Sequence, residues 1–406
     1  MRESASPDGR MQAGIWTVFR AFLRLGLTSF GGPIAHLGYF RDEFVVRRRW
    51  LSESEYAELI ALCQFLPGPA SSQVGMAIGL SRAGVRGALA AWCGFTLPSA
   101  LAMICFALGL AHWGAALPAD ALHGLKLVAV AVVAQAVWGM ARMFCTDSTR
   151  VLLAVAGALL VLWWPQAWMQ VVVIVLGALA GLGLRRAADP AVGGGLAVSL
   201  STRTGLAMLT LFIALLLLLP LAAQHSSSLS VQVFDSFYRS GALVFGGGHV
   251  VLPLLQAEVA PPGWVGADEF LSGYGMAQAM PGPLFTFSAF LGAAMSAGPG
   301  GWSGGLLCLL AIFLPSFLLV LGVLPFWSRL RQQRWVQAAL AGINAAVVGL
   351  LLAALYDPLW TTTVRGWSDV AWVVAGVAAL MWAKLPPWLV VLAMGVGGDI
   401  LAWLAG

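Results

Sequence analysis

Charge is what this sequence has least of. Asp, Glu, Lys and Arg make up 10% of its 406 residues, against about 25% in soluble domains. Lysine is nearly missing: Lys126 and Lys384 stand beside twenty arginines. That scarcity excludes an ordinary soluble globular fold. The five cysteines (Cys63, Cys93, Cys105, Cys145, Cys308) sit singly in apolar runs, without CxxC pairs or His/Cys clusters, so neither a disulfide framework nor a structural zinc site is expected, and no metal or cofactor. No GxxxxGK[ST] stretch is present to hold a nucleotide. The net charge of +5 comes without a basic stripe interleaved with aromatics, which argues against nucleic-acid binding. Residues 1–11 lack the apolar core of a signal peptide, so a cytoplasmic N-terminal tail is expected.

What is there is apolar surface: 60% hydrophobic residues and a mean hydropathy of +0.87. At about 20 residues per crossing this supplies roughly ten membrane spans. The expected fold is an all-α polytopic membrane protein of about nine to thirteen segments. Uninterrupted runs fall at 86–112, 121–143, 151–164, 167–184, 204–224, 303–327, 335–356, 368–383 and 387–405. Arginines collect in alternate connections: Arg82 and Arg86, then Arg142 and Arg150, then Arg185, Arg186 and Arg203, then Arg329, Arg331 and Arg334. With those facing the cytoplasm, the arginine-free turns at 113–119, 163–167 and 220–230 face outward, and the C-terminus lies outside.

Two segments, 12–80 and 229–297, are each interrupted halfway by Gly and Pro, and they are copies. Phe30-Gly31-Gly32-Pro33 aligns with Phe245-Gly246-Gly247-Gly248, Trp50 with Trp264 and Glu55-Tyr56 with Glu269-Phe270. Gln64-Phe65-Leu66-Pro67-Gly68-Pro69 aligns with Gln278-Ala279-Met280-Pro281-Gly282-Pro283. Gly79 then matches Gly292, Leu97-Pro98-Ser99 matches Leu314-Pro315-Ser316, and Gly124-Leu125-Lys126 matches Gly342-Ile343-Asn344. So many matches, in order and at a nearly fixed offset, imply an internal duplication. The expected units are a first repeat over 12–184, a linker over 185–228 carrying one extra helix at 204–224, and a second repeat over 229–406. One extra crossing inverts the segments after it. The charges agree, since the loop at 41–58 carries Arg47-Arg48-Arg49 and its copy at 258–269 carries Glu258, Asp268 and Glu269 with no cation. Inverted repeats with broken helices are the architecture of secondary transporters, with the substrate held where the breaks meet.

Each Pro-Gly-Pro ends one helix and begins another, giving re-entrant hairpins over 52–80 and 266–297 with Pro67-Gly68 and Pro281-Gly282 at their tips. The helix after each tip offers free N–H groups to an anion, joined by Ser71 and Ser72 or by Thr286 and Ser288; a plain kink is the alternative. Gln64 and Gln278 precede the tips. Gly31, Gly32, Gly246 and Gly247 permit close backbone approach, with His36 and His249 beside them as pocket-edge donors that do not align with each other. Arg24 and Arg239 each sit seven residues before a break, and an ionisable residue inside a membrane segment is a functional candidate. Arg24 snorkelling with Arg20 is the alternative. Lys126 and its counterpart Asn344 complete the set. Acids are expected to be almost absent from the spans, Asp399 excepted, which favours an anion over a cation or amine.

These motifs, recurring in order in both halves, resemble the chromate ion transporter family in its long two-domain form, over nearly the whole chain from residue 12. The resemblance implies a bacterial inner-membrane protein that exports chromate and confers resistance to it, with sulfate as the look-alike oxyanion, and it leaves a homodimer open. The departure is Gly248 where the first half has Pro33. Export is physically favoured, because a dianion driven outward by 100 mV gains roughly 4–5 kcal/mol. Proton or sulfate antiport stays open, but proton coupling would need a histidine or Asp399 and ranks below uniport or anion exchange. A passive anion channel is the competing class, and no enzyme constellation is visible.

Overall fold

The computed structural model describes residues 13–113, 119–184, 200–330 and 333–395. The tail 1–11, the turn at 114–118, the linker stretch 185–199 with Arg185 and Arg186, Arg331, and the end of the chain with Asp399 lie outside the described residues.

The described chain is helical from end to end. The first half comprises α1 (Ile15–Thr28), α2 (Gly32–Arg41), α3 (Glu53–Phe65), α4 (Ala70–Trp113), α5 (Ala119–Phe144), α6 (Ser148–Trp163) and α7 (Ala167–Leu184). α8 (Thr202–His225) joins it to the second half: α9 (Leu229–Ala242), α10 (Val251–Val259), α11 (Ala267–Ala279), α12 (Phe287–Ala294), α13 (Gly301–Val323), the short α14 (Trp327–Leu330), α15 (Arg334–Ala354), the single turn α16 (Thr361–Thr363) and α17 (Trp367–Met381). Among the described residues, five helical stretches are long and apolar enough to cross a membrane: 70–112, 122–144, 202–225, 301–330 and 334–363. Four more, at 148–163, 167–183, 284–294 and 367–381, are apolar but shorter.

The helix ends follow from side chains near them. Ser52 caps α3, and Glu55 reaches back to the Ser52 N–H at 2.9 Å. Its counterpart Glu269 does the same for the Gly266 N–H at 3.3 Å, so α3 has a full capping box while α11, with glycine at its N-cap, keeps only the glutamate's half. Asp147 and Ser201 cap α6 and α8 by accepting the N–H groups of Arg150 and Thr204. Inside α4, Ala83 and Gly84 leave helical geometry, with Gly84 at φ +62°. The helix therefore doubles back as two arms, 70–82 and 85–113, which meet where Gly79 lies against Gly87. The second half repeats the move between α12 and α13, with Gly292 against Gly304.

Lipid tails are as apolar as leucine, so close packing through small residues does much of the work of association. Gly26 of α1 lies against the Gly94–Phe95 backbone of α4, and Gly241 of α9 lies against Ile312 of α13. The halves then exchange partners. α15 rests on α6 and α7 through Gly342, Gly177 and Gly181, while Gly124 of α5 meets Met394 and Gly395 beyond α17. Large apolar side chains such as Leu152, Leu159, Leu217 and Leu218 stay exposed on α6 and α8, where a bilayer would cover them. Exposed Trp163, Trp164, Trp168, Trp335, Trp367 and Trp382 cluster at helix ends, the pattern of an interfacial aromatic belt.

Gly342→Leu forces a side chain into the Gly177 and Gly181 backbone and is expected to destabilise the fold by about 1–3 kcal/mol or more. Gly139→Ala enters open space and should leave the thermal midpoint in detergent unchanged. Equal midpoints for both variants would contradict this packing.

Candidate functional site

Six glycines of the duplicated motifs take positive φ: Gly31 (101°), Gly32 (79°), Gly68 (119°), Gly246 (78°), Gly247 (144°) and Gly282 (95°). These are left-handed or extended-positive conformations that side-chain-bearing residues rarely adopt, and they let the chain leave one helix and start the next within a few residues. The halves are not identical here. Gly31 caps α2 directly with Pro33 in its first turn, whereas Gly248–Val250 forms a 3-10 turn before α10. The two breaks meet, since a Cβ built on Gly248 would lie 3.4 Å from Pro33 Cγ.

The hairpin tips cross over. The Gly68 N–H donates to the Val244 carbonyl at 2.7 Å, and the Gly282 N–H donates to the Ser29 carbonyl at 2.9 Å. Ser29 and Val244 are matched positions of the duplication, as are Gly68 and Gly282, so each tip docks on the break of the other half. Matched serines back the contact, with Ser316 Oγ beside Gly68 and Ser99 Oγ beside Gly282. Backbone that leaves a helix inside a protein needs partners for its polar groups, and here the opposite half supplies them.

Side-chain donors gather around the crossing. His36 is 1% exposed; its Nδ1 lies 3.3 Å from Ser71 Oγ at the start of α4, and its ring stands edge-on to Phe95 at 5.2 Å. Gln73 Nε2 donates to the Pro67 carbonyl at 2.7 Å and approaches Ser316 Oγ at 3.5 Å, tying the first tip to its own helix and to α13. His249 Nδ1 lies 2.9 Å from the Tyr274 hydroxyl. Thr286 and Ser288 hydroxyls donate to the Pro283 and Phe285 carbonyls at 2.9 and 2.7 Å. Ser29 Oγ, Ser72 Oγ and Thr96 Oγ1 are buried without a hydrogen-bond partner among the described residues, while His36 also bonds the Ser29 backbone and Gln278 bonds Tyr274. Buried polar groups are normally satisfied, so these hydroxyls stand out in the described core. Gln64, by contrast, is exposed.

The expected cations do not converge on this crossing. Lys126 is ion-paired with Asp268 at the start of α11. Arg239 holds Asp235 and Glu258 at 3.0 and 2.6 Å. Arg24 is exposed on α1, next to Arg20, which sits over the Trp16 ring. Asn344 Oδ1 alone of that group approaches a break, 3.5 Å from where a Gly246 Cβ would stand. Four acids are nonetheless buried in the described residues: Asp235, on α9, is 3% exposed, and Glu43, Glu58 and Asp369 are also buried. Asp235 lies one helical turn before Arg239, so the i,i+4 spacing neutralises the arginine locally. That spacing was readable in the sequence. The converging roles of Ser29, Thr96, Tyr274 and the matched Ser99 and Ser316 were not.

A bundle of apolar helices, several of membrane-crossing length, whose broken members cross at two buried backbone tips is a multi-pass helical membrane protein. The chain belongs to the chromate transporter family: the family's model matches residues 16–182 and again 231–398. It is 30% identical to the chromate transport protein of Pseudomonas aeruginosa over 94% of this chain and 91% of that one. It is 26% identical to a probable chromate transport protein of Synechococcus elongatus over 93% of each. A Bacillus subtilis uncharacterized transporter is 27% identical with 99% of its length matched by 43% of this chain, a relative the size of one half. No solved structure matches the chain.

Replacing Gln73 by Ala strips the Pro67 carbonyl of its donor and should cost about 1–3 kcal/mol, read as a lowered thermal midpoint in detergent. The exposed Gln64→Ala should show no such loss, and equal effects would contradict the tip geometry.

Proposed function

We propose that the chain is a secondary transporter that exports chromate across the bacterial inner membrane and accepts sulfate at the same site, with the oxyanion held between the crossed hairpin tips. The observation that carries this reading is the reciprocal pair of hydrogen bonds, Gly68 to Val244 and Gly282 to Ser29, ringed by unpartnered donors. The ring is neutral. The first N–H groups of α4, at 70–72, precede its first intrahelical bond, Gln73 to Pro69, and point with the helix dipole toward the tip. His36, Ser29, Ser72 and Thr96 from the first half and Gln278 from the second supply further donors to a tetrahedral dianion. Gly31, Gly32, Gly246 and Gly247 let backbone close on it, and Arg24 serves in attraction rather than contact.

The matched contacts, the extra helix α8 and the two family-model matches support two repeats of opposite orientation, over 12–184 and 229–406, with the N-terminus in the cytoplasm and the C-terminus outside. Because the two breaks pack on each other, the tips must part for an anion to enter. Opening toward one face and then the other is alternating access about a fixed site. The relatives named for chromate transport supply the identity of the anion; the geometry alone supports a small oxyanion.

Reconstituted protein should show saturable chromate flux that an imposed potential accelerates and sulfate competes with. His36→Leu and Ser72→Ala should each lower kcat/KM roughly 5- to 100-fold, about 1–3 kcal/mol of lost hydrogen bonding, without loss of inserted protein. Flux at channel rates, or full activity in both variants, would overturn the reading.

A further inference from the structure

Arg239 is outnumbered. Its Nε donates to Asp235 Oδ2 at 3.0 Å, and its terminal nitrogens donate to the two Glu258 oxygens at 2.6 and 2.9 Å, so one guanidinium faces two carboxylates. The side chains of Asp235 and Glu258 are 5% and 14% exposed. With both ionised, the cluster carries one uncompensated negative charge where water screens it poorly, and Asp235, which meets the guanidinium through one oxygen only, is the carboxyl placed to take a proton. Asp235 Oδ1 is the oxygen left over, buried and accepting no hydrogen bond. That is costly for an ionised carboxylate and much less so for a neutral acid.

Two further polar atoms point to a proton path. Ser240 Oγ and Gln170 Oε1 are buried without partners, and both residues line a small cleft with Arg239, Leu243, Leu254 and Glu258. Polar atoms in want of partners beside a cleft are what bound water requires. The elements packed on α9 bring few other ionisable groups. α10 contributes Glu258, α13 carries only Cys308, and α8 has Arg203 and His225 at its two ends. Tyr238 of α9 itself is tied to the Phe212 carbonyl of α8 at 3.0 Å.

The cluster belongs to one half only. The positions matching Asp235, Arg239 and Glu258 are Arg20, Arg24 and Glu43, and Glu43 is paired with Arg47 and Arg48 instead. The second half thus has an acid where the first has an arginine. The cluster also adjoins the transport path: the Leu243 N–H donates to the Arg239 carbonyl at 3.1 Å, closing α9, and the next residue is Val244, which holds the Gly68 tip.

We propose that Asp235, facing a guanidinium already engaged by Glu258, carries one exchangeable proton, moved inward as the anion moves outward; the coupling rests on the transport reading above. A proton taken from water on one face neutralises the excess charge, and its release to water on the other restores the ion-paired state, with no other co-reactant. In proteoliposomes held at zero potential, an acidic receiving side should accelerate chromate flux several-fold, and a trapped pH dye should report protons moving the opposite way. Asp235→Asn and Glu258→Gln should each abolish that acceleration while potential-driven flux remains. An infrared titration of the wild type should show a buried carboxyl that gains a proton as the pH falls and that is missing from the variants. An undiminished pH response in both variants, or no such carboxyl in the wild type, would overturn the proposal. If Asp235→Asn fails to insert, Glu258→Gln and the wild-type spectrum decide it. A wild type without potential-driven chromate flux would refute the transport reading instead, leaving the spectrum to judge the proton site.

Discussion

Backbone that leaves a helix inside hydrocarbon must find hydrogen-bond partners in protein, and in this molecule each half provides them for the other. Gly68 N–H meets the Val244 carbonyl and Gly282 N–H meets the Ser29 carbonyl; an unsatisfied group at that depth costs several kcal/mol. Much else depends on this pair. The tips need glycine because the chain turns at positive φ there, and prolines flank them because they tolerate the missing donor at a helix start. Ser99 and Ser316 sit where the tips dock, which gives the Leu-Pro-Ser match of the two halves a physical meaning.

A second consequence concerns charge. In a chain with so few ionisable groups, a buried cation left unpaired would be expensive, and those nearest the breaks are compensated: Lys126 by Asp268 and Arg239 by Asp235 and Glu258. In the proposed site a dianion between the tips would meet hydroxyls, amides and helix N-terminal N–H groups rather than a fixed positive charge. Such a site would bind without trapping, which suits a carrier that has to release its cargo.

The helices were largely legible because apolar runs of membrane length have few alternatives; the run at 86–112 is the second arm of α4 and that at 204–224 is α8. The breaks were legible from Gly and Pro, and the crossing was foreshadowed by the duplication. Which partners the side chains would choose was not. Arg239 reads as a free cation beside a break until Glu258, nineteen residues on, folds back through α10 to meet it. Lys126 reads as a pocket residue until α11 brings Asp268 across. Periodicity locates a residue on its own helix, and ion pairs between helices depend on packing angles that it does not encode. The asymmetry of Gly248 against Pro33, by contrast, was visible and does change the local fold, from a direct α2 start to a 3-10 turn.

The central claim is one anion site shared by both halves at the crossed tips, and a chromate-bound structure by electron cryomicroscopy tests it most directly. The expected result is a single anion density within hydrogen-bond reach of Ser29, His36 and Ser72 and bounded by both Pro-Gly-Pro tips. Density beside Arg20 and Arg24 with the tips still closed, or two separate sites, one in each half, would contradict it.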